Sequence, residues 1–100
     1  MFSRGPKAVE TEPGGKYATF LKEAATILGQ RAGSLDLSEE LQSGYGCDEL
    51  EIVELIQIAE DVWSISLMPT PFDTEDVKRA TERFRTIGDI VNEAQSNRLE

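Results

Sequence analysis

The chain has 100 residues, 39% hydrophobic and 29% charged, proportions that suit one modest soluble domain. Ten Lys and Arg stand against nineteen Asp and Glu, a formal charge of −9. That balance argues against nucleic acid and against an anionic membrane as partners, because both demand basic groups. Cys47 is the single cysteine and histidine is absent, so no internal disulfide can form and the commonest general base and metal ligand is missing. No run of apolar residues approaches the ~20 of a membrane span, and the N-terminus lacks a signal-peptide apolar region. The expectation is a cytosolic, monomeric protein whose natural complement is a basic protein surface.

Residues 1–15 are polar, rich in Gly and Pro and without period, and read as a disordered lead-in. The spacing of Tyr17, Phe20, Leu21, Ala24 and Leu28 predicts a first helix over about 16–32, with Gly33 as its stop. A loop of about fourteen residues, 33–47, follows, and Leu35, Leu37 and Leu41 should anchor it. A second helix is expected from Asp48, a good N-cap, to about Trp63, with Ile52, Leu55, Ile56, Ala59, Val62 and Trp63 inward. The stretch 64–69 alternates like a strand but ends in Pro69 with no second strand to pair with, so it reads as extended loop. Asp73 or Thr74 caps a third helix to about Phe84, with Val77, Ala80 and Phe84 inward. Thr86 caps a fourth, burying Ile87, Ile90, Val91 and Ala94, with Asp89 placed to favour the helix N-terminus. The fold class is therefore all-α: a four-helix bundle with a long loop between its first two helices, occupying residues 16–96. Residues 97–100 form a tail, and its Leu99-Glu100 could be a cloning remnant.

The segment Tyr45-Gly-Cys-Asp-Glu-Leu-Glu-Ile-Val-Glu-Leu resembles the central motif of acyl carrier proteins. There, Leu-Gly-x-Asp-Ser-Leu opens an acidic amphipathic helix that contains Val-Glu-Leu. Gly46, Asp48, Leu50, Val53, Glu54 and Leu55 match it, and Thr86-Ile-Gly-Asp-Ile-Val is similar to the family's last-helix opening. The resemblance spans roughly 16–96 and implies an acyl-carrier-protein-like bundle. It also implies that the family's attachment position for 4′-phosphopantetheine, a serine, is Glu49 here. Tyr45 and Gln57 depart as well, standing where the family has Leu and often Met.

Glutamate has no hydroxyl to take up a phosphopantetheine arm, and an acyl phosphate on its carboxylate would hydrolyse. No cofactor is therefore expected at Glu49. The same residue is also good helix-start chemistry, worth about 0.3–1 kcal/mol against the helix dipole when exposed. It further puts a negative charge where a modified carrier presents its phosphate. Ser43 and Ser34 lie upstream of the helix start. Cys47 could in principle hold a thioester, but neighbouring Asp48 and Glu49 oppose a thiolate, so an inert cysteine is the plainer reading.

No Lys or Arg occurs between Arg31 and Lys78, while twelve of the nineteen acids fall in that gap. Asp48, Glu49, Leu50, Glu51, Val53, Glu54 and Gln57 form the expected partner-binding patch, with Leu50 and Val53 as apolar residues among the acids. The acids lack calcium-loop spacing, and no metal site is expected. With no histidine, no phosphate-cradling loop and no lysine in the acidic centre, the parts of an enzyme are missing. The resemblance implies a non-enzymatic module that docks through its acidic second helix on a basic partner enzyme of fatty-acid, polyketide or peptide-type biosynthesis. The alternatives are a genuine acyl or aminoacyl carrier modified at another serine, and a general helical interaction domain.

Overall fold

The computed structural model describes residues 13–97, and the ends expected to be a disordered lead-in and a cloning remnant lie mostly outside that range. Four α-helices follow one another: α1 Pro13–Leu28, α2 Glu49–Trp63, α3 Thr74–Arg83 and α4 Ile87–Asn97. Among the described residues there is no strand, only an isolated bridge between Glu40 and Thr86. The all-α reading holds, and 64–69 is the extended loop that its proline and lack of a pairing strand suggested.

α1 begins earlier and ends earlier than its periodicity suggests. Residues 13–15 are helical rather than part of the lead-in, and the stop is Gly29, not Gly33. At φ +70°, Gly29 lets the Gln30 N–H reach the Ala25 carbonyl at 2.9 Å while its own N–H points to Thr26. This pair of bonds closes the last turn and satisfies two otherwise orphaned carbonyls. Carrying the helix through Gly29 instead would cost about 1 kcal/mol relative to alanine. Gly33 falls inside a short 3-10 turn, Ala32–Ser34.

The three later helices each start with a reciprocal cap. The Asp48 carboxylate accepts the Glu51 N–H at 2.8 Å, and Glu51 accepts the Asp48 N–H at 3.0 Å. Asp73 and Asp76 repeat the arrangement on α3, so the cap is Asp73 and not Thr74. Thr86 and Asp89 repeat it on α4, where Asp89 also takes the Arg85 N–H at 3.0 Å. Each box ties two free N–H groups of a helix start to side chains.

α2 packs against α1, α3 and α4, and its Ile52, Leu55 and Ile56 are fully buried with Phe20, Leu41, Phe84, Ile87 and Ile90. The long connection 29–48 is pinned to the corner between α3 and α4. Leu41 donates its N–H to Arg85 at 2.8 Å, Gly88 donates to Leu37 at 2.9 Å, and Arg85 pairs with Glu40 at 3.3 Å. Leu41 is fully buried and Leu35 and Leu37 are half-buried, so the three leucines do anchor the loop. A Cβ on Gly88 would stand 3.1 Å from the Leu37 carbonyl oxygen, so a larger residue there would make the loop or the helix give by a few tenths of an ångström.

Candidate functional site

The helix that the acidic pattern singles out is set by burial on one side and by its cap at the start. α2 is covered by three other helices, so its buried arc is wider than one i, i+3, i+4 stripe. Ile52, Val53, Leu55, Ile56, Ala59 and Trp63 all lie inside it. Val53 is only 4% exposed, which corrects its placement on the partner surface: its side chain is core and cannot meet a partner. Val62, expected inward, is only half-buried.

The remaining positions of the patch divide by what their carboxylates do. Asp48 and Glu51 hold each other's backbone N–H, and Glu51 is half-buried, so both belong to the architecture of the helix start. Glu49 occupies the first residue of α2 and is exposed. Leu50 is 70% exposed, a large apolar side chain left in water at the same end. Glu54 and Gln57 are exposed further along. Leu50, Glu54 and Gln57 follow i, i+4, i+7 spacing, which places them in one row on the outer surface.

That row continues to Asp61, exposed one turn beyond Gln57. The patch expected from the sequence stops at Gln57, although Asp61 belongs to the same acidic stretch and the same spacing points to it. Glu60 beside it is not free, because its Oε2 accepts the Leu67 and Met68 N–H groups at 2.7 and 2.9 Å and fastens the following loop. Phe72 is the second large apolar residue in the open, at 38% exposure, on the connection to α3. Nothing in the periodicity marks it, since it sits in an aperiodic Pro-rich stretch.

Among the described residues, the ion pairs are Arg79–Asp76, Arg83–Glu93 and Arg85–Glu40. None involves Glu49, Glu54 or Asp61, so among the described residues the outer surface of α2 carries negative charge with no cation paired to it. α2 also has no basic residue in its last turn. A carboxylate at Asp61 therefore faces the negative end of the helix dipole, where it destabilises rather than supports the helix.

The nucleophile candidates fare differently. Cys47 is buried, and its thiol is pushed up to about 11 by burial first, then by Glu51 and Asp48, so it is a protonated, weak nucleophile at neutral pH. Ser34 lies in the 3-10 turn and donates its hydroxyl to the Arg31 carbonyl at 3.0 Å, while Ser43 is exposed in the turn before Tyr45. Neither belongs to α2. Tyr45 has a defined task of its own: its hydroxyl accepts the Asp36 N–H at 2.8 Å and braces the long loop. Trp63 closes α2 against Phe20, with ring centroids 5.5 Å apart, and its buried Nε1–H has no hydrogen-bond partner among the described residues. Among the described residues, no three acids or cysteines converge as metal ligands, and no helix is long and apolar enough to cross a membrane.

No protein-family model and no curated protein matches the chain.

Proposed function

We propose that this protein is an acyl-carrier-protein-like, non-enzymatic module that docks through the outer row of α2 on a basic surface of a carrier-recognising biosynthetic enzyme. The observation that carries the reading is the row itself. Leu50 stands 70% exposed beside Glu49 and Glu54, with Asp61 three turns further along the row, and among the described residues these carboxylates have no ion-pair partner. An exposed apolar anchor flanked by acids, with a further acid along the same row, is the complement of a basic groove with an apolar pocket.

The acyl-carrier-protein resemblance of 45–55 supplies the class of partner, and the chemistry of Glu49 supplies what is different. The residues present do not fit a phosphopantetheine arm, because the attachment position offers a carboxylate at the head of α2 and the serines lie elsewhere. Part of the motif has a purely structural explanation, since Asp48 forms a capping box with Glu51, and Gly88 admits the Leu37 carbonyl. Leu50 and Glu54 have no such explanation, and they are the motif residues left for recognition.

Intact-mass spectrometry with coenzyme A and a broad-specificity phosphopantetheinyl transferase tests the claim. The wild-type chain should gain no mass, and Glu49→Ser should gain one phosphopantetheine, showing that the surrounding surface is still read. Modification of the wild type would establish a genuine carrier instead. Failure of both proteins to be modified, together with no salt-sensitive binding to carrier-recognising enzymes, would leave a general helical interaction domain.

A further inference from the structure

We infer that the groove between α1 and α2 seats a basic amphipathic helix supplied by the partner, so that recognition extends beyond α2 onto α1. The inference rests on the docking reading above and specifies the shape and chemistry of what docks.

The groove is lined by Glu23, Thr26 and Ile27 from α1 and by Glu54, Gln57, Ile58 and Asp61 from α2. Ile27 and Ile58 are half-buried, packed on the core from below while their outer faces form an apolar floor. Glu23, Glu54 and Asp61 are exposed, and their three carboxylates make the rim. Among the described residues no lysine or arginine lines the groove, and the ion pairs Arg79–Asp76, Arg83–Glu93 and Arg85–Glu40 do not involve its rim. The space is about 380 Å³, open along its length rather than closed over. An enclosed cavity would suit a small molecule, whereas an open trough between two helices suits the ridge of a third.

Charge complementarity decides the occupant. A helix with apolar anchors at i, i+3 and i+4 sets them between Ile27 and Ile58, and its flanking Lys or Arg meet the three rim carboxylates. An acidic or neutral helix would leave those carboxylates partly dehydrated without partners, at a net cost. A second copy of this chain fits less well, because each copy carries −9 and its Arg79, Arg83 and Arg85 are already paired with acids of their own molecule. Asp61 adds a further argument, since it opposes the dipole of its own helix and gains a favourable partner only when a cation arrives.

The probe is a fluorescein-labelled synthetic peptide with leucines at i, i+3 and i+4 spacing and lysines elsewhere, beside a scrambled peptide of the same composition, read by fluorescence anisotropy against the full chain. The patterned peptide should bind about tenfold more tightly than the scrambled one. Glu23→Lys and Ile27→Ser should each weaken it by about fivefold, and added salt should weaken it further. Glu23 is exposed and on α1, so its variant stays folded if Ile27→Ser does not, and circular dichroism checks both. Equal binding of the two peptides would overturn the inference and leave only diffuse attraction. Binding indifferent to Glu23→Lys and Ile27→Ser but lost with Glu49→Lys would also overturn it, while leaving docking on α2 alone intact.

Discussion

α2 runs for fifteen residues, touches the other three helices and buries six of its side chains, whereas α3 has ten residues and buries Val77, Ala80 and Thr81. Both start with a reciprocal cap, and there the likeness ends. α3 arranges its charges as helix electrostatics favours, with Glu75 and Asp76 in the first turn, Arg83 in the last, and Arg79 bonded to Asp76 at 3.0 Å. α2 keeps acids at both ends and no base in its last turn. The difference teaches how to read a charged helix. Where charges follow the dipole and pair within the molecule, stability explains them. Where burial already secures the helix and an acid such as Asp61 sits at the negative end of the dipole, stability does not explain that acid.

The comparison breaks first if α2 does not rest on its core. Ile56→Ala removes a fully buried side chain from the helix that joins the other three. It should cost about 2–5 kcal/mol, measured by urea unfolding. A loss well below that would mean the core tolerates a cavity beneath α2, and its surface charges would have to be reconsidered as supports. Next in size is the loop that carries the start of α2. Gly88→Ala puts a methyl group 3.1 Å from the Leu37 oxygen, so loop or helix must shift, at about 1–3 kcal/mol. Wild-type stability for this variant would show that the loop is not held at that contact.

These two positions also show what could be read from residue order. The helices, their sequence, the caps at Asp48 and Thr86 and the inward residues of α4 follow from periodicity and cap chemistry, which are local. The end of α1 was harder, because two glycines four residues apart, Gly29 and Gly33, compete for one stop and only backbone geometry shows which takes the positive φ. Val53 was misplaced because one periodic stripe underestimates a helix covered on three sides. Of the seven positions expected to meet a partner, Glu49, Leu50, Glu54 and Gln57 lie exposed, whereas Asp48 and Glu51 are spent on the cap. Glu23, Ile27 and Ile58 were beyond sequence reasoning, since a groove exists only once two helices have been packed.

The caps sharpen the contrast at smaller cost. Asp48→Ala should cost about 1 kcal/mol, a loss that α2 can absorb through its buried side. α3 has less to fall back on. Hydrogen bonding to the Asp76 N–H is the main reason the Asp73 carboxyl is held below the usual carboxylate range. The sign follows: its contribution is complete above the unfolded carboxyl's pKa and is lost as pH falls through the lowered value. Hydrogen exchange at a pH below the unfolded carboxyl's pKa should therefore reach the first turn of α3 before it reaches α2. Simultaneous loss of protection in both would mean that the bundle protects its helices as one unit, and that α3 does not depend on its cap more than α2 does.

The smallest effect has the unusual sign. Asp61→Lys places a cation at the negative end of α2's dipole, at an exposed site with no ion pair to break, and should stabilise the free protein by about 0.3–1 kcal/mol. The same change should weaken the basic amphipathic probe, because it removes one rim carboxylate and adds a repelling charge. Stabilisation by urea unfolding together with weaker anisotropy is the joint result expected. If the variant is less stable, Asp61 supports the fold in some way the helix dipole does not capture. If it is more stable and binds as well as before, the carboxylate has no role in docking. Only a residue kept at the expense of its own helix should separate the two measurements in opposite directions. A solubilising surface acid would move the stability and leave the binding where it was.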